Sequence, residues 1–71
     1  MKIREIIFVV EEDPEQGYMA KALGYSIFTE GNSLAELKEN IKDAIKCHFD
    51  KDDMPLYVRL HIITEEKFAC A

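Results

Sequence analysis

Four side chains in this 71-residue chain could hold a soft metal or supply a thiol nucleophile with its base: Cys47, His48, His61 and Cys70. Their spacing argues against both roles. Adjacent helical residues diverge by about 100°, which points Cys47 and His48 at different targets. No Cys-x-x-Cys or His-x-x-x-His pair is present to start a site. Both cysteines are expected as reduced thiols packed as small hydrophobes, and His48 as a group favoured by the C-terminal end of a helix dipole. Metal-dependent phosphodiester chemistry would need carboxylates clustered on a central strand. Here Ile6-Ile7-Phe8-Val9-Val10 holds none, and Glu5, Glu11 and Glu30 stand only at strand ends, where a carboxylate is expected to be solvated. Gly17, Gly24 and Gly31 are isolated and build no phosphate-cradling loop. The expectation is a non-enzymatic chain with no catalytic residue, no cofactor and no metal.

Binding surfaces are better represented. Glu11, Glu12 and Asp13 form one acidic segment, and Asp50 to Asp53, with Asp52 and Asp53 at its end, form a second. Tyr57 and Arg59, with Tyr18 and Tyr25, offer the aromatic and guanidinium groups that protein interfaces favour, although tyrosines half-buried on a small sheet are the commoner case. Nine basic against 14 acidic residues leave a charge of −5. That balance speaks against a nucleic-acid surface, which needs a basic face, and suits binding of a basic protein or simple solubility. Early charges at Lys2, Arg4 and Glu5 break any signal-peptide pattern, and no apolar run reaches the roughly 18 residues of a membrane span. A cytoplasmic protein is expected.

These groups must be positioned by a few elements. Residues 33–49 read as the one helix. Ser33 and Glu36 make a reciprocal capping box, and Leu34, Leu37, Ile41, Ala44, Ile45 and His48 recur at spacings of three and four as one mostly apolar stripe. The acidic Asp50 to Asp53 run and Pro55 end it. Residues 3–10 read as a strand covered on both faces, because their β-branched and aromatic run is unbroken. Residues 11–17 form a polar turn, residues 18–23 a second strand, and residues 25–30 a third after Gly24. Residues 57–63 alternate Val58, Leu60 and Ile62 against Tyr57, Arg59 and His61, the period of a half-buried strand. Residues 64–66 turn, and Phe68, Ala69, Cys70 and Ala71 close an apolar tail. The fold class is α+β, in two layers: β-β-β-α-β order with one helix on a mixed four-stranded sheet. The meander of the first three strands and a right-handed crossover give the spatial order 3-2-1-4 within one domain, residues 1–71.

The acidic turn closing in Gly17-Tyr18, then Gly24-Tyr25-Ser26, then Thr29-Glu30-Gly31-Asn32-Ser33-Leu34-Ala35-Glu36-Leu37 and an Ile41-Ala44-Ile45 helix resemble the HicB-like antitoxin family. The resemblance covers residues 3–63. It implies a partial ribonuclease H-like fold, and a fold does not carry the activity of its enzymes. Two departures stand out. Members commonly carry proline-glycine-cysteine where this chain has Leu23-Gly24-Tyr25, and many append a DNA-binding segment that this sequence lacks. The resemblance implies an antitoxin without its own operator-binding part, whose partner is a small basic HicA-like toxin that cleaves messenger RNA. Glu11, Glu12, Asp13, Asp52, Asp53, Tyr57 and Arg59 are the candidate partner-binding residues. The alternatives are a structural homo-oligomerising domain without a toxin, and a minimal metal-dependent nuclease. A homodimer or higher oligomer is expected, because a chain this short buries only about 60% of its unfolded surface. Phe68, Ala69, Cys70 and Ala71 are the candidate subunit contact.

Overall fold

The computed structural model describes residues 4–15, 17–64 and 68–70. The apolar run behind Glu5 forms the long central strand β1 (Glu5–Asp13), followed by β2 (Gly17–Ala22) and β3 (Phe28–Gly31). Helix α1 (Leu34–His48), a single 3-10 turn (Lys51–Asp53) and β4 (Tyr57–Ile63) complete the order. The strands lie in the expected order β3-β2-β1-β4, with β1 antiparallel to β2 and parallel to β4.

β1 runs three residues further than its composition suggests. Glu11, Glu12 and Asp13 are not in a turn; they pair with Met19, Tyr18 and Gly17. The ladder continues because backbone pairing is indifferent to the charge of side chains that can reach water. The turn is confined to the few residues after Asp13, whose Oδ1 accepts from the Glu15 amide at 2.9 Å. β3 conversely begins at Phe28 rather than residue 25. Before it, the Ala22 amide donates to Ile27 O at 3.0 Å across a turn in which Gly24 takes φ +80°.

The helix starts as its sequence implies: Ser33 Oγ accepts from the Glu36 amide at 3.1 Å. Its buried residues are Leu37, Ile41 and Ile45, while His48 is exposed and the half-buried Phe49 packs against the core in its place. These three meet Ile6, Phe8 and Val10 of β1, Ala20 and Ala22 of β2, and Ile27. The small alanines of β2 let the helix approach. The approach is closest at Gly31, where a Cβ would lie 2.6 Å from the Leu37 amide nitrogen, so no side chain fits there.

β4 departs from expectation. Its pairing with β1 puts Val58, Leu60 and Ile62 on the helix side, opposite Ile6, Phe8 and Val10. Yet only Leu60 is half-buried there, and Val58 and Ile62 remain 41% and 46% exposed. α1 packs on β2 and β3, so its single apolar stripe runs out before it reaches β4. The tail residues Phe68, Ala69 and Cys70 are exposed, and Ala71, with residues 65–67 of the expected turn and tail, lies outside the described residues.

Candidate partner-binding face

Strand alternation decides what the sheet presents on the side away from α1. β1 contributes Glu5, Ile7, Val9, Glu11 and Asp13; β2 and β3 contribute Met19, Lys21, Phe28 and Glu30 through their registers. Leu23, whose amide donates to Ile7 O at 2.9 Å, extends the same row. Ile7 and Val9 are half-buried, whereas Leu23 and Phe28 are 53% and 62% exposed. A shallow depression of about 330 Å³ lies between Val9, Met19, Lys21, Leu23 and Phe28. The result is an apolar centre with carboxylates at its edge: Glu11 and Asp13 at one end, Glu30 at the β3 side.

The expected partner-binding residues do not share one surface. Glu11 and Asp13 border this face. Glu12 points to the helix side and accepts a hydrogen bond from the Tyr18 hydroxyl, which raises the Tyr18 pKa above its ordinary value. Asp52 and Asp53 sit in the 3-10 turn leading to β4, whose first residue Tyr57 donates to Arg4 O at 3.0 Å. That is the opposite end of β1 from Glu11, so the two acidic segments are separated by about the length of the strand, roughly 25 Å.

Tyr57 and Arg59 do lie on the open face, next to Glu5 and Ile7. Arg59 grips Glu5 with two bonds, Nε to Oε1 at 2.9 Å and Nη2 to Oε2 at 3.2 Å. This hydrogen bond is the largest reason the Glu5 pKa falls below 4.5 and that of Arg59 rises. Tyr18 and Tyr25 are half-buried elsewhere. Tyr25 closes a ring cluster at the end of α1, with its centroid 5.2 Å from Phe49 and 6.0 Å from His48. The tyrosines therefore form no common aromatic surface.

Cys47 and Cys70 are free and exposed, not packed as small hydrophobes. Cys47 falls on the outer side of a helix whose inner side is already filled by Ile41, Ala44 and Ile45. His61 is on the open face beside Val9, on the other side of the sheet from His48. Among the described residues no group of three or more His, Cys, Asp or Glu side chains is arranged to hold a metal ion. No helix among them is long and apolar enough to cross a membrane.

Sequence reasoning missed Met19, Leu23 and Phe28 as surface residues. The signal was present: Ile7 and Val9 in an unbroken apolar strand require apolar neighbours on the second face as well as the first.

Two proteins match this chain over most of its length. A UPF0150 protein of Archaeoglobus fulgidus is 56% identical over 54 residues, 76% of this chain and 80% of the relative. A UPF0150 protein of Thermotoga maritima is 44% identical over 66 residues, 93% of both chains. The chain belongs to the UPF0150 family. No family model and no solved structure matches it. At such identity the match to the Thermotoga maritima protein takes in nearly all the elements described above.

Proposed function

We propose that this UPF0150 chain is a protein-binding module of antitoxin type, acting in the cytoplasm to neutralise a small basic HicA-like toxin that cleaves RNA. The observation that carries the reading is the open sheet face, with half-buried Ile7 and Val9 at its centre, exposed Leu23 and Phe28 on its β2–β3 side, and Glu11, Asp13 and Glu30 at its border. Apolar side chains bordered by Glu11, Asp13 and Glu30, with Lys21 among them, suit a partner that is itself apolar at the contact and largely basic around it. A toxin that grips phosphates through a basic active-site surface has that character, and a sheet laid over it would exclude RNA by steric cover.

Co-expression tests the reading. A basic protein encoded beside this gene that arrests growth alone should be tolerated when the chain is present. Phe28→Glu should abolish the rescue, while association measured by stopped flow should slow as salt rises, because carboxylates outside the apolar centre act mainly on encounter. A neighbouring protein whose toxicity the chain leaves unchanged would refute it.

A further inference from the structure

Of the eight large apolar side chains exposed among the described residues, six lie on β4 or beside it in sequence: Leu56, Tyr57, Val58, Ile62, Ile63 and Phe68. β4 is also an edge, with no strand beyond it among the described residues. In a parallel ladder alternate residues bond inward. The Tyr57 amide donates to β1, so Tyr57, Arg59, His61 and Ile63 face β1, and the N–H and C=O groups of Val58, Leu60 and Ile62 point outward. A mostly apolar edge of seven residues with unpaired outward amides is a template for another strand.

We infer that this edge receives β4 of a second copy, antiparallel across a two-fold axis through Leu60, to make a continuous eight-stranded sheet. Three observations select that occupant and that register. The first is charge. Residues 57–63 carry no acidic group, and Arg59 is already neutralised by Glu5. The edge therefore offers a basic partner nothing, while it is the stretch along which two chains of charge −5 can touch without setting acid against acid. The second is register. Outward amides must pair with outward amides, so Leu60 faces the partner's Leu60 and Val58 faces the partner's Ile62, closing six hydrogen bonds. The adjacent allowed registers pair only two of the three outward residues of each strand and close four bonds. The third is area. A seven-residue strand about 23 Å long, in a sheet about 10 Å thick, covers on the order of 250 Å² per copy. A stable interface needs about 800 Å² per partner. The remainder is available next door: α1 stands off β4 and leaves a groove of about 630 Å³ lined by Ala35, Ile41, Val58 and Leu60, with Lys38, Lys42 and Glu39 at its rim, the last two paired at 3.7 Å. Pairing joins the two grooves along the axis, and in the proposed dimer Phe68, which is 80% exposed and five residues beyond β4 in sequence, fills them.

The inference stands apart from the antitoxin reading, since it concerns the chain alone and leaves the open face free. Sedimentation of the full chain at micromolar concentration should give twice the 8.2 kDa protomer mass. Val58→Lys and Ile62→Glu should each yield a folded monomer, and the double variant should dimerise again, because each Lys then faces the partner's Glu. Phe68→Ser should weaken the dimer about tenfold. In the unmodified chain, amides of Val58, Leu60 and Ile62 should be protected from hydrogen exchange at high concentration and lose that protection on dilution, a readout that needs no variant to fold. A monomeric unmodified chain, rapid exchange at those three amides, or single variants that stay dimeric would overturn the proposal. A double variant that stays monomeric would overturn the register.

Discussion

The two edges of this sheet meet water in opposite ways. β3 is four residues long, ends at Gly31 under the first turn of α1, and has the Glu30 carbonyl bonded by Asn40 Nδ2 of the helix at 2.7 Å. β4 is seven residues long, bonds to β1 on one side, and leaves apolar side chains in the open. Both edges belong to one sheet with one helix, so the difference is one of coverage. A single helix about 10 Å wide covers two strands well and a third in part. In this chain it was spent on the β3 side, which closes that edge against other chains and leaves the β4 edge to whatever completes the core.

The strongest way to break the comparison is to remove a side chain under the helix and one beyond it. Phe8 is fully buried against Leu37 and Ile41, and Phe8→Ala should cost about 3–5 kcal/mol. Ile62→Ala, on the same sheet face but 46% exposed, should cost about 1 kcal/mol in the monomer. Urea titration at low protein concentration separates the two. Equal midpoints would mean that β4 is covered as well as β1.

The closed edge depends on backbone approach, and Gly31→Ala probes it. The added methyl would meet the Leu37 backbone at 2.6–2.9 Å, which no rotamer can relieve. A loss of about 1–3 kcal/mol is expected, within the range for overpacking. A variant as stable as the parent would show that β3 and α1 are loosely docked.

Much of this arrangement was legible. Ser33 at the head of a stripe of Leu37, Ile41 and Ile45 specifies the helix start, and the unbroken run in β1 places that strand inside the sheet. The coverage was not. Val58, Leu60 and Ile62 alternate as a half-buried strand should, but periodicity reports which side chains share a face, not whether anything lies over it. The same gap hid Leu23 and Phe28. His48 read as part of the stripe because the stripe was extended one turn too far, where Phe49 takes the inner position, and Cys47 read as packed only because a lone thiol is most often a small buried hydrophobe. Glu11 to Asp13 read as a turn because acidic side chains conceal a backbone that is free to pair.

The cap gives a finer comparison within α1. Ser33→Ala removes the acceptor of the Glu36 amide and should cost about 1 kcal/mol. Lys42, whose ammonium is 3.7 Å from Glu39 on an exposed face, should cost under about 0.5 kcal/mol on replacement by alanine. Thermal shifts of equal size would show that the helix start is held by packing and not by its cap.

The smallest effect lies at the open edge itself, in the Glu5–Arg59 pair that clasps β4 to β1. Chiefly through the hydrogen bond from Arg59, the Glu5 pKa sits below its ordinary 4.5 in the folded chain. A carboxylate whose folded pKa is depressed contributes stability above its unfolded pKa and loses it as pH falls through the folded value. The parent should therefore melt slightly higher than Glu5→Gln at neutral pH, with a constant difference down to about pH 5. The difference should then shrink and vanish as acid protonates Glu5. Both groups reach solvent, so salt should narrow the gap as well. Arg59→Lys sharpens the test, since an ammonium cannot reproduce the two parallel bonds and should fall near Glu5→Gln. A gap that acid never closes, or one that Arg59→Lys leaves whole, would mean that Glu5 holds β4 by packing and that the clasp adds nothing to the open edge.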